Sequence, residues 1–560
     1  MLGRRRKRTV NSEIAPDEIF ADSSNIPAFD TDHFEGRVER PLARQALYGV
    51  GAIIIILLLA YAGQAWNLEL RQGTAFAEAA QNNQLLESVV FADRGIITDR
   101  TGRVLASDIE TPGSDFPTRQ YAPWQGIAQV VGYAKPPAKD ASGNYYRNTS
   151  VGIDGAEAGF NSELVGTNGA KITQTNALKQ VVSQSTLVPP QNGSPITLSI
   201  DAAVSQGLYQ AIANMAQSSH FVAGAGVIMD VRTGQIIAMV SYPEFSLQTM
   251  ADGTDTPAIQ ALLSSPGLPF LNRAIDGLYT PGSIVKPIVA IGALTEGVIN
   301  ENTQILSTGS ISIPNPYDPS HPSIFLDWRP QGWVNVRQAI AVSSDVFFYE
   351  VGGGYQSQPG IGISGIDKYF QMFGFGAPTG LQGFTESSGV VPSPAWKARV
   401  FPGDPWNIGD TYHTAIGQYG LTVTPLQMVR AVAAIANGGT LLTPTLLASS
   451  TPEGTRLPLN PEYLTVAQQG MRLDVTGNAT TGHALDVGFV DVASKTGTAQ
   501  IGTQNQFENS WVTGFYPYEN PHYAFAVVLE KGPPGIPENA SIAEFNFLTW
   551  LNQNYPQYLQ

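Results

Sequence analysis

Three short runs of side chains in this sequence could carry out nucleophilic chemistry. The first pairs Ser283 with Lys286, after the turn residues Thr280-Pro281-Gly282 and at the head of a helical pattern running from Ile284 to Glu296. A spacing of three places the hydroxyl and the amine on one helix face. A serine hydroxyl is a weak nucleophile until a base takes its proton. A lysine amine can be that base when desolvation or a second cation lowers its pKa. The helix N-terminus adds a backbone N–H and a positive dipole end for an oxyanion. A helix-capping serine beside a solvated lysine has the same spelling. With ten lysines in the chain, roughly one Ser-x-x-Lys is expected by chance.

The second run is Lys495-Thr496-Gly497-Thr498, inside a strand pattern from Val492 to Gln500. The lysine supplies charge and the threonine hydroxyls could bind a carboxylate. The glycine lets another group approach the backbone, where an open N–H is a second oxyanion donor. An ordinary Lys-Thr-Gly turn is the plain alternative. The third run is Ser343-Ser344-Asp345, ahead of Val346-Phe347-Phe348-Tyr349 in a helical pattern from Val336 to Val351. It reads either as a cap or as a hydroxyl relaying a proton between two lysines.

Elements able to position these runs are visible around them. Helical patterns cover 284–296, 336–351 and 425–436, and strand-like runs alternate with them from about residue 200 onward. Ser510–Tyr518 and Tyr523–Glu530 flank Glu519-Asn520-Pro521 as an antiparallel hairpin. Asp99-Arg100-Thr101-Gly102 and Asp230-Val231-Arg232-Thr233-Gly234 mark two more hairpins, glycine supplying the positive φ of a tight turn. The expected class is α/β (α+β), an antiparallel sheet flanked by helices. Upstream, Ala46 to Gly63 carries no charge and is long enough to cross a bilayer. Eight Lys/Arg precede residue 46, whereas Arg71 stands alone on the far side, so the N-terminus is expected in the cytoplasm. A helix is expected from residue 67 to about 90, where helix formers occur without proline.

Composition removes other functions. The 560 residues hold 31 Lys+Arg against 46 Asp+Glu, a net charge of −15, which argues against nucleic-acid binding. There is no cysteine, hence no disulfide, thiolate metal site or cysteine nucleophile. His33, His220, His321, His413, His483 and His522 form no metal-spaced pair, and neither metal nor other cofactor is indicated.

The order of the three runs is more specific than any one of them. Ser-x-x-Lys, Ser-x-Asp 60 residues later and Lys-Thr-Gly a further 152 on is the signature set of serine transpeptidases and β-lactamases. With Arg94-Gly95, Gly155-Ala156-Glu157, Arg273-Ala274, Phe373-Gly374-Phe375-Gly376 and Thr424-Pro425-Leu426-Gln427, the chain resembles a class B penicillin-binding protein over nearly everything after the anchor. Ser-x-Asp resembles the elongation type, penicillin-binding protein 2, more than the division type. The resemblance implies a cytoplasmic tail over 1–45, a transmembrane helix over 46–66, an elongated, mostly β pedestal or dimerisation-like domain over 67–200 and a transpeptidase domain over 201–560. It implies a D,D-transpeptidase that acts on stem peptides ending in D-Ala-D-Ala and is acylated by β-lactams. Ser283 would be the nucleophile and Lys286 its base, Ser343 and Lys495 would shuttle the proton to the leaving group, and Asp345 would be a further catalytic residue. Thr496 and Thr498 would hold the substrate carboxylate, with Gly497 also substrate-binding, and the N–H groups of Ser283 and Thr498 would form the oxyanion hole. The implied partners are a membrane glycosyltransferase and other elongation-complex proteins.

Two departures stand out. Asp345 replaces the commoner asparagine of this motif, and a carboxylate near Lys286 favours its charged form. Gly417-Gln418-Tyr419-Gly420 stands where Gly-Gln-Gly-Tyr is more frequent. A division-type transpeptidase is the nearest rival, ahead of an anchored β-lactamase or β-lactam sensor. A non-catalytic scaffold would not need three catalytic motifs.

Overall fold

The computed structural model describes residues 44–82, 85–175, 181–315, 318, 320–535 and 539–560. The expected cytoplasmic tail lies, up to residue 43, outside the described residues. The chain forms two compact units, Met1–Leu85 with Gln174–Val182, and Leu86–Thr173 with Ser183–Gln560.

In the first unit, the apolar segment is helical over Arg44–Trp66, makes a π turn over Asn67–Arg71 and resumes as an α-helix over Gly73–Asn82. Ile53 to Leu59 point outward all round the helix. Arg44–Arg71 is long and apolar enough to cross a membrane. The helix expected to reach residue 90 stops earlier. Leu85–Val90 is a strand, and its last two residues are β-branched valines, which fit a pleated strand better than a helix.

Within the second unit, the upstream part is built on a four-stranded sheet in the order 196–197, 97–98, 104–109, 118–121. Asp99 closes the first hairpin by accepting the Thr101 and Arg103 amides. Behind it, the fully buried Glu157 bridges Arg94 and Arg119.

The catalytic part is organised by five antiparallel strands, β1 (Ala223–Asp230), β2 (Ile236–Tyr242), β3 (Ala493–Ile501), β4 (Phe507–Tyr516) and β5 (Tyr523–Gly532). Their spatial order is β2-β1-β5-β4-β3. Successive side chains of a strand point to opposite faces, and β5 feeds two cores in this way. Phe525, Val527 and Leu529 join one cluster with Leu208, Ile212 and Phe547, while Ala524, Ala526 and Val528 join another with Ile284, Leu426 and Val429. Helices Ala202–Ser218 and Asn539–Asn554 cover the first face, and Pro425–Ala436 packs on the second. Strand β3 is left at the sheet edge, against the turn Gly282–Val285 and the helix Pro461–Thr476.

Candidate active site

Ser283 sits in a 3-10 turn over Gly282–Val285 that passes directly into the α-helix Lys286–Thr295. Pro287 is tolerated in this first turn because its missing N–H would have had no helical partner. The backbone of the turn lies directly on β3. A Cβ on Gly282, whose φ is +61°, would fall 2.9 Å from the Thr498 carbonyl oxygen. A Cβ on Gly497 would meet the Pro281 carbonyl oxygen at 2.8 Å. Only glycine at both positions lets the turn and the strand approach this closely. In an extended strand a residue's N–H and C=O point to the same side. The Thr498 amide therefore faces the free sheet edge beside Ser283, as the second half of an oxyanion hole requires.

Lys286 is fully buried. Its Nζ donates to the Ser343 carbonyl at 2.7 Å, the Ser343 Oγ at 3.2 Å and the Asp345 Oδ1 at 2.7 Å. The structure corrects one expectation here. Residues 336–351 are not a single helix but two, Val336–Ala341 and Asp345–Gly353. The break falls at Ser343, whose φ is +55°. The left-handed residue turns the Ser343 carbonyl and hydroxyl and the Asp345 carboxylate together onto Lys286, which an unbroken helix would not do. Ser344 caps the second helix by accepting the Phe347 amide.

Lys495 is fully buried on β3 and donates to the Thr496 carbonyl at 3.0 Å. Burial brings its amine down to about 8, with Lys286 pushing the same way and Asp474 and Asp345 opposing. Burial pushes the Asp345 carboxyl above the usual carboxylate range, against the pull of the Lys286 ammonium. Ser283, Ser343, Asp345, Thr496, Gly497 and Thr498 line one cleft of about 960 Å³. Lys286 and Lys495 lie buried against its lining residues. All eight residues singled out in the sequence thus converge on one site.

Several site residues carried no signal in the sequence. Asp327 is buried, and its Oδ2 accepts from Ser307 Oγ, Ser344 Oγ and the Val346 amide at 2.9, 2.8 and 3.2 Å. It thereby holds the Ser343–Asp345 segment from behind. Trp328 pins the Val342 carbonyl through its indole N–H at 3.1 Å. Asp474 and Thr481 lie behind β3. Each depends on partners distant in sequence, so no local pattern marks it. The unusual Gly-Gln-Tyr-Gly run is accommodated by a left-handed Tyr419, with φ +57°. Its ring meets Trp396 and Trp406 edge-on and lies 5.5 Å from Lys397 Nζ. Gly417 still accepts the Gly282 amide at 2.9 Å, so the turn that carries Ser283 is supported on this side too.

A half-buried Ser283 three residues before a buried Lys286, a second Ser and Lys, and an edge strand whose Thr498 amide faces the cleft together define a serine acyl-transfer enzyme. The chain matches the family model of the penicillin binding protein transpeptidase domain over residues 224–544 and that of the penicillin-binding protein dimerisation domain over 113–198. It belongs to the penicillin-binding protein transpeptidase family. It is 31% identical over 454 residues to the peptidoglycan D,D-transpeptidase MrdA of Escherichia coli, covering 74% of this chain and 69% of that one. Among solved structures it is similar to the penicillin-binding protein PBP2 of Helicobacter pylori in complex with MreC, with TM-score 0.70, 25% identity and coverage of 84% and 99%. It is also similar to a chain of a peptidoglycan synthase complex that coordinates polymerization and crosslinking, with TM-score 0.71, 25% identity and coverage of 90% and 98%. The chain is a peptidoglycan D,D-transpeptidase of the MrdA, or penicillin-binding protein 2, elongation type.

Proposed function

We propose that Ser283 attacks the penultimate carbonyl of a stem peptide ending in D-Ala-D-Ala, with Lys286 taking the Ser283 proton. The tetrahedral oxyanion is met by the amides of Ser283 and Thr498. Ser343 and Lys495 return a proton to the departing amine. D-Alanine leaves as the C–N bond breaks, and an ester to Ser283 remains. An amine from a neighbouring stem then attacks the ester, gives up a proton and restores the Ser283 hydroxyl. Thr496 and Thr498 frame the site of the substrate carboxylate.

The observation that carries this reading is the buried link from Lys286 to the second serine: its Nζ is held by the Ser343 carbonyl and the Asp345 carboxylate at 2.7 Å each and meets the Ser343 hydroxyl at 3.2 Å. Ser283 stands three residues before Lys286 and lines the same cleft as Ser343. An amine fixed by two acceptors between two cleft serines is placed to take a proton and pass it on.

The helix Arg44–Trp66 acts as a single-pass anchor, with the N-terminus in the cytoplasm and the catalytic part outside, in line with the basic residues before it. The partner glycosyltransferase is a separate membrane protein, and an MreC-like protein is a further partner, by extension from the Helicobacter relative. The decisive test exposes membranes carrying the full chain to a reporter penicillin and maps the adduct. A stable adduct on Ser283, absent from Ser283→Ala, is expected. An adduct elsewhere, or rapid label loss with β-lactam hydrolysis, would overturn the transpeptidase reading.

A further inference from the structure

Asp474 reaches the Lys495 strand from behind. It lies on the helix Pro461–Thr476 and is fully buried. Its Oδ1 accepts the Thr481 amide at 3.2 Å, the Thr481 Oγ1 at 2.9 Å and the Gly482 amide at 3.0 Å. Its Oδ2 accepts the Ser494 Oγ at 3.0 Å. Thr481 Oγ1 also pairs with Thr496 Oγ1, and both threonines line the cleft.

The direction of this chain follows from what a carboxylate can do. An ionised carboxylate only accepts, so Thr481 must spend its single hydroxyl proton on Asp474. The short contact between Thr481 and Thr496 then takes its proton from Thr496. With that proton committed to Thr481, Thr496 can meet the substrate only with its oxygen lone pairs. The carboxylate must therefore find its hydroxyl donor in Thr498 and its charge in Lys495. Asp474 is also a source of negative charge at Lys495, since its Oδ2 is bonded to Ser494, the residue just before that lysine on β3. Charged groups facing that amine are Asp474 from the helix Pro461–Thr476, Lys286 from the helix Lys286–Thr295 and Asp345 from the helix Asp345–Gly353.

We propose that Asp474 is a positioning residue of the transpeptidase: it orients the Thr481–Thr496 hydroxyl pair so that Thr496 acts as an acceptor, and it keeps Lys495 cationic. This rests on the roles given to Lys495 and Thr496 under the proposed function. The two effects separate in two variants. Asp474→Asn is isosteric and removes the charge, while its amide oxygen still accepts at the Oδ1 position. Thr481→Val keeps the charge and the shape, and frees the Thr496 proton to point at the cleft.

The experiment follows acylation of the full-length chain by a reporter penicillin from pH 6 to pH 10, resolving the binding constant from the acylation rate. Thermal unfolding is recorded alongside. For Asp474→Asn, the alkaline limb of binding moves down by about one pH unit, because Lys495 has lost a counter-charge. For Thr481→Val, the limb stays in place and binding tightens about threefold, since Thr496 now donates to the carboxylate. Damage to the fold weakens binding and cannot tighten it. An unshifted limb in a folded Asp474→Asn protein, or weakened binding in Thr481→Val, overturns the proposal. If Asp474→Asn does not fold, the Thr481→Val arm alone decides. Ser283→Ala is run in parallel: label persisting in it overturns the catalytic reading itself, whereas its loss together with unmoved positioning variants overturns only the role of Asp474.

Discussion

Lys286 Nζ lies 2.7 Å from Asp345 Oδ1, so the proposed base rests on a carboxylate where many of its kind have an amide. Burial holds the Asp345 carboxyl above the ordinary carboxylate range. It therefore takes up a proton at a higher pH than an exposed aspartate does, and Lys286 then loses a full acceptor. An acid limb in the acylation rate is expected above the usual carboxylate range. Asp345→Asn keeps an acceptor oxygen but does not titrate, so this limb should vanish while Ser283 still reacts. A rate and a pH profile unchanged by the substitution would remove any special role for the acid.

Lys286→Met tests the base directly. The side chain is nearly isosteric, and the site can close around it. Loss of a positioned general base costs about 10²–10⁴-fold in rate, and that loss is expected in acylation with reporter binding little changed. Stopped-flow acylation separates the two. A loss confined to binding would move the base elsewhere.

The contact between Gly282 and β3 predicts a second, purely steric failure. Gly282→Ala would need a left-handed alanine and would put a methyl 2.9 Å from the Thr498 carbonyl. Gly497→Ala crowds the Pro281 carbonyl at 2.8 Å from the other side. Misplacing a nucleophile by about 1 Å can cost roughly 10²-fold. Each variant should therefore lose about that much acylation while keeping a folded upstream domain, as limited proteolysis would report.

The sequence made the site's membership legible and left its support hidden. Hairpins at Asp99–Gly102 and Asp230–Gly234 were readable because their turn residues leave few conformations open. Ser283, Lys286, Ser343, Asp345, Lys495 and Thr498 were readable because their order is distinctive. The break at Ser343 was not, since Val336 to Val351 is helical in composition and the kink depends on Lys286 bonding the Ser343 carbonyl. Leu85–Val90 departs from the expected helix for a similar reason: Leu, Glu and Ser suit either state, and pairing in a sheet decides. Asp327 and Asp474 hold segments 17 and 20 residues away through side-chain bonds, and no local period encodes such a reach.

Glu544 provides a stability prediction remote from the cleft. It lies on the helix Asn539–Asn554, is fully buried, and neither carboxyl oxygen has a hydrogen-bond partner among the described residues. Burial raises its carboxyl from 4.5 to about 8. Between those values the folded protein holds a proton that the unfolded chain has released. Stability therefore falls as pH rises through the window and levels off above about 8. Glu544→Met should remove this slope and stabilise the protein by on the order of a few kcal/mol at pH 8. Urea unfolding at pH 5 and at pH 8 measures both. An equal effect at the two pH values would place the origin in packing and not in ionisation.

Arg273 connects the strand architecture to the segment that carries Ser283. It is fully buried, pairs with Glu530 of β5 at 2.7 Å, and caps the Gly267 and Leu268 carbonyls at 2.7 and 3.1 Å. Tyr279 adds its hydroxyl to Glu530 at 3.0 Å, and the Trp511 indole holds the Thr280 carbonyl at 3.1 Å. The segment from Arg273 to Thr280 is thus fastened to β5 and β4 before it delivers Ser283. Removing the guanidinium leaves Glu530 and two carbonyls short of donors, and breaking a buried pair costs about 3 kcal/mol or more. Arg273→Met is expected to destabilise by about that amount and, because Tyr279 shares the same carboxylate, to slow acylation as well. Glu530→Gln alone should cost less, since the amide oxygen still accepts from Arg273. In the double variant the two losses should not add, because both remove the charge pairing of one Arg273–Glu530 contact. Additive losses in that cycle would mean that Arg273 acts through the carbonyls it caps and not through Glu530.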